Sequence, residues 1–98
     1  MSSYGDLIAN NKLLLVDFFA TWCGPCQTLG PILEDVAKQT SGKVKIVKID
    51  IDKNQSLASK LNVKGVPTMI LYKNGNQVWR QSGVVPVYDL VSLIELHS

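Results

Sequence analysis

One segment constrains the fold more than any other: Leu13-Leu14-Leu15-Val16-Asp17-Phe18-Phe19-Ala20, apolar at every position except Asp17. A strand with one face in water alternates between apolar and polar residues, and this run does not. It predicts a strand covered on both faces, as parallel strands of α/β proteins are. The rest of the chain must then supply helices for both sides of a sheet.

The remaining segments meet that demand. Ser3 to Asn11 predicts a short helix, with Leu7 and Ile8 turned inward and Ser2 or Ser3 as cap. Cys23 to Thr40 predicts a long one, with Leu29, Ile32, Leu33, Val36 and Ala37 at helical spacing, a kink at Pro31 and Gly42 as terminator. Val44 to Asp50 is β-rich, and a short helix follows over about Gln55 to Leu61. Thr68–Lys73 and Gln77–Gln81 flank Asn74-Gly75, a strong hairpin signal. Val87 to Leu96 closes the series with Leu90, Val91, Leu93 and Ile94 on one face. The order α-β-α-β-α-β-β-α implies a central mixed sheet with helices on both faces.

Composition narrows the function. The 98 residues suit one domain, residues 1–98, and the net charge of +2 comes from interspersed charges, not a basic patch. That speaks against a nucleic-acid or membrane-surface partner. No apolar run reaches the ~20 residues needed to span a bilayer, and the N-terminus does not read as a signal peptide. A cytoplasmic location and no bound cofactor are the expectations. There are two cysteines and one histidine. A bridge between Cys23 and Cys26 would close so small a loop that it could do little for stability through chain entropy. A zinc half-site is the bland alternative, but it lacks two ligands, and His97 lies next to the terminus. Asp50 and Asp52 could be taken for a metal pair, although a solvated strand end explains them more simply. No metal is expected.

Trp22-Cys23-Gly24-Pro25-Cys26 therefore points to redox chemistry. The motif follows a buried strand and opens a helix, where free amides and the helix dipole favour negative charge. Cys23 is expected to be the acidic, attacking thiol and Cys26, more buried and one turn further on, the resolving one. Pro25 suits a first turn, where its missing N–H costs nothing. Asp17 is expected to be buried, with a pKa raised by desolvation, and so able to exchange protons with Cys26. Lys48 lies on the strand face of Val44 and Ile46. On chemistry alone its stem covers apolar surface while its head reaches water.

The stretch Val16-Asp17-Phe18-Phe19-Ala20-Thr21-Trp22-Cys23-Gly24-Pro25-Cys26 resembles the active-site region of the thioredoxin family. The similarity continues through Pro31, Lys48-Ile49-Asp50, Gly65-Val66-Pro67-Thr68, Lys73-Asn74-Gly75 and Gly83. The resemblance implies a thioredoxin fold and a protein-disulfide reductase, with Gly24 and Pro25 tuning the active site and Lys48 tuning Asp17. It implies a cis bond at Pro67, which is not the commoner state on chemistry alone. It also implies a substrate groove at Trp22, Val66, Pro67 and Gly83, in which Val66 pairs with an extended segment of the substrate. Disulfide-containing proteins and a NADPH-dependent thioredoxin reductase are the implied partners of a chain expected to be monomeric. Other readings are a disulfide isomerase or oxidant of the same fold, or a non-catalytic binding module. Three features depart from the pattern. Gln27 stands where a lysine is usual and Phe19 where a tryptophan is frequent, and the usual first strand is expected to be absent. Without that strand, Val44–Asp50 is expected to form a sheet edge guarded by Lys43, Lys45 and Lys48, or covered by a neighbouring chain.

Overall fold

The computed structural model describes residues 3–98; Met1 and Ser2, including Ser2 as a candidate cap, lie outside them. The chain runs α1 (Tyr4–Ala9), β1 (Leu13–Phe19), α2 (Gly24–Thr40), β2 (Lys45–Asp50), α3 (Gln55–Lys60), β3 (Thr68–Lys73), β4 (Asn76–Ser82) and α4 (Val87–His97). The sheet order is β2-β1-β3-β4. β1 pairs parallel with β2 and antiparallel with β3, and β3 pairs antiparallel with β4.

The unbroken apolar run of β1 has the expected cause, because the strand is central and both of its faces are packed. Leu13 and Leu15 join Leu29, Leu33, Val36, Leu90 and Ile94 in a core under α2 and α4. Leu14, Val16 and Phe18 face the other way, against Tyr4, Leu7 and Ile8 of α1 and Leu57 of α3. The alternation along β1 is thus between two cores. Asp17 shares the face of Leu13 and Leu15, which puts it under α2.

Among the described residues no strand precedes α1, and β2 is an edge. Lys45 and Lys48 are exposed along it, and Lys43 just before it bonds Glu95 at 2.7 Å. Ser3 caps α1 in a reciprocal box with Asp6. Tyr4, which no sequence pattern singles out, packs on Phe18, and its hydroxyl donates to that of Tyr72 at 2.9 Å.

Two expectations for α2 need correction. Ala37 is exposed, and the fourth buried position of the stripe Leu29, Leu33, Val36 is Thr40. A threonine is tolerated there because its hydroxyl donates to the Val36 carbonyl at 2.8 Å. The helix also ends before Gly42: Ser41 takes the left-handed cap position at φ 46°, and Gly42 follows at φ 80°. Pro31 lies inside α2 as expected. The turn Asn74-Gly75 has positive φ at both residues, as a two-residue hairpin turn of matching twist requires. No helix among the described residues is long and apolar enough to cross a membrane.

Candidate active site

The site lies where β1 ends and α2 begins. The chain leaves Phe19, turns through Ala20–Trp22 with the Cys23 N–H on the Ala20 carbonyl, and enters α2 with Cys23 as its N-cap. Cys23 and Cys26 are joined in a disulfide, with their Cα atoms 5.3 Å apart. The Cys26 amide donates to Cys23 Sγ at 3.2 Å. The sulfur therefore occupies the position that a serine or aspartate oxygen takes at other helix starts. A thiolate there gains a hydrogen bond and the positive end of the helix dipole, both of which lower its pKa.

Burial does not separate the two cysteines as expected. Cys23 is 4% exposed and Cys26 7%, because Cys23 is covered by the segment around Val66, whose carbonyl oxygen lies 3.6 Å from its sulfur. What distinguishes them is the amide, which points at Cys23 and not at Cys26. Both pack with Ala20, Phe19, Ile51 and Val66 in a small apolar cluster.

Asp17 is 1% exposed, and its Oδ1 is buried without a hydrogen-bond partner. Desolvation pushes its pKa up to about 6, and the nearby positive charge of Lys48 pulls part of the way back. Asp17 and Lys48 are register partners across β1 and β2. Lys48 is exposed, and its charge lowers the Asp17 pKa. Asp17, Cys26, Gln27, Gly30 and Lys48 line one cleft of about 420 Å³, together with Phe19, Ala20 and Thr21. The cleft borders both Asp17 and Cys26.

On the other side of the disulfide, the Val66–Pro67 bond is cis. Pro67 is held by the Gly83 N–H, which donates to its carbonyl at 2.8 Å. Gly83 is itself at φ 93°, a conformation that favours glycine. Trp22 is 69% exposed, and its indole donates to Asp52 at 2.9 Å. Asp50 in turn accepts from the Asp52 amide at 2.9 Å. These two carboxylates are engaged in fixing the tryptophan and its loop, a use that composition alone did not suggest. Gly24 and Pro25 are exposed in the first turn between the cysteines. The structure thus brings together Trp22, Cys23, Cys26, Val66, Pro67 and Gly83 at one end of the sheet, with Asp17 and Lys48 beneath Cys26. It also shows Ser82 bonded to Thr68 and Arg80 bonded to the Leu61 and Asn62 carbonyls, and neither Ser82 nor Arg80 stood out in sequence because their partners lie far away along the chain.

A family model described as thioredoxin matches residues 1–96. A thioredoxin from Staphylococcus saprophyticus is 46% identical over 96 residues, covering 98% of this chain and 91% of that protein. A chloroplastic thioredoxin Y from Oryza sativa is 42% identical over 95 residues, covering 96% of this chain, which spans only 56% of that protein's length. Among solved structures, a mutant thioredoxin from Halobacterium salinarum superposes with a TM-score of 0.86 at 44% identity, covering 95% of this chain and 80% of that one. With the CGPC disulfide at the start of α2 and these likenesses over nearly its whole length, the chain belongs to the thioredoxin family.

Proposed function

We propose that this chain, acting as a single domain, reduces disulfides in other proteins, with Cys23 attacking and Cys26 resolving. The thiol-disulfide exchange itself follows from the family and the Cys23–Cys26 pair. The assignment of roles rests on the Cys26 amide directed at Cys23 Sγ. In the dithiol form the Cys23 thiolate attacks one sulfur of the substrate disulfide, expelling the other as a thiolate and forming a mixed disulfide. Cys26 then loses its proton to Asp17 and attacks Cys23, releasing the second substrate thiol. Two electrons pass to the substrate, and the protein is left in the oxidised state described here.

Asp17 fits the proton-acceptor role because its pKa of about 6 lies close to neutral pH and it shares a cleft with Cys26. Lys48 tunes it. Trp22, Val66, Pro67 and Gly83 form the groove, and the Val66 backbone pairs with an extended substrate segment. Members of the family need no bound cofactor. For regeneration we propose a NADPH-dependent thioredoxin reductase, with the chain working as a monomer in a reducing compartment, the cytoplasm in the first instance.

The test is reduction of insulin disulfides by dithiothreitol with and without the protein. Wild type accelerates the reaction and Cys23→Ser does not. A Cys23→Ser variant as active as wild type would refute the assignment, and one that still bound its partners tightly would favour a binding module.

A further inference from the structure

Thr68 follows Pro67, is buried, and has two oxygen neighbours. Its Oγ1 lies 2.6 Å from the Gly65 carbonyl oxygen and 2.9 Å from Ser82 Oγ. A carbonyl oxygen can only accept, and a threonine hydroxyl has one proton to give. Thr68 therefore donates to Gly65, and the proton between the two hydroxyls belongs to Ser82. The result is a directed chain in which Ser82 donates to Thr68 and Thr68 donates to the Gly65 carbonyl.

That carbonyl is one half of a peptide group whose other half is the Val66 N–H. In a trans peptide the two point in opposite directions. Drawing the Gly65 oxygen inward onto Thr68 turns the Val66 N–H outward, and among the described residues that N–H has no hydrogen-bond partner. The Val66 carbonyl, meanwhile, sits 3.6 Å from Cys23 Sγ. We infer that Ser82 is a positioning residue for substrate: through Thr68 it sets the orientation of the Gly65–Val66 peptide and so presents the Val66 N–H to an extended segment of the incoming protein. Ser82 also has a plainer use, because Thr68 and Ser82 are register partners across β3 and β4, where such pairs add modest stability. The two uses differ in what they predict for substrate.

The inference rests on the groove reading given above, and the experiment separates the two. A Cys26→Ser background traps a mixed disulfide with a cysteine-containing extended peptide, and amide exchange of Val66 is followed by NMR. Protection of Val66 in the trapped complex is expected, falling about fivefold when Ser82→Val removes the donor. No protection in Cys26→Ser itself would overturn the groove reading, and the inference with it. Protection that persists unchanged in the Ser82→Val double variant would overturn the inference alone. With the cysteine pair intact, Ser82→Val is expected to raise KM for insulin about fivefold at nearly unchanged kcat. The rate with the small disulfide bis(2-hydroxyethyl) disulfide is expected to change by less than about twofold, and Ser82→Thr restores the insulin KM. Equal losses on both substrates, tracking a fall in denaturation midpoint, would reduce Ser82 to a structural pair.

Discussion

Replacing Asp17 by asparagine tests the electrostatics of the site without touching either cysteine. The carboxyl is buried with one oxygen unpartnered, and its pKa is raised from 3.8 to about 6. Between those values the folded chain keeps a proton that the unfolded chain has released, so rising pH favours unfolding across the window. The stability associated with the protonated carboxyl is intact below about pH 4 and lost once pH passes 6. A shift of roughly two units corresponds to about 3 kcal/mol at neutral pH. The Asp17→Asn variant carries no such penalty. Its amide brings a fixed cost or gain of its own, so the informative quantity is how the difference between variant and wild type changes with pH. Urea denaturation of the disulfide form at a series of pH values should show the variant gaining about 2–3 kcal/mol on wild type between pH 4 and pH 8. A difference that stays flat over that range would show that Asp17 titrates normally, and the proposed proton transfer would lose its basis.

Two further measurements address other parts of the molecule. Equilibration with dithiothreitol should place the Cys23–Cys26 couple near about −270 mV, the established thioredoxin value, as Gly24-Pro25 between the cysteines suggests. A value of about −180 mV or above would point to an isomerase or oxidant instead. Arg80 donates to the Leu61 and Asn62 carbonyls at 2.6 and 2.9 Å, tying the end of α3 to β4. Arg80→Ala is expected to cost roughly 1 kcal/mol, reduced from the usual charged-bond value because the side chain is exposed, and to speed amide exchange at Val63. Unchanged exchange there would show that the tie is slack in solution.

The parts of this fold legible in sequence were those governed by local pattern. β1 could be read because a strand packed on both faces has no polar alternation to obscure it. Asn74-Gly75 could be read because few residue pairs accept positive φ twice in succession. Ala37 was misplaced and Thr40 missed for one reason: an apolar count ranks alanine above threonine, whereas burial here follows the spacing Leu29, Leu33, Val36, Thr40. The hydroxyl's bond to Val36 makes that spacing tolerable, and no composition rule reports it. The candidate site divides the same way. Cys23, Cys26 and Asp17 announced themselves by residue type in an improbable setting. The equal burial of the cysteines did not, since it depends on Val66, which arrives from 43 residues away. Ser82 and Arg80 were invisible for the same reason, each being an ordinary polar residue until β4 is laid beside β3 and the end of α3.

The hydrogen bond from the Cys26 amide to Cys23 Sγ has a consequence for the direction of the reaction. In the proposed cycle Cys23 is the nucleophile in the first step, and it is the leaving group when that step runs backward, as the partner's second thiolate attacks the partner sulfur of the mixed disulfide. Whatever favours its thiolate makes it easier to expel as well as more abundant, because a less basic sulfur departs faster. One amide therefore assists both the making and the undoing of the mixed disulfide with a partner. A protein built this way has little preference of its own for giving or taking electrons quickly. It is a two-way relay, and the partners on either side decide which way the current runs.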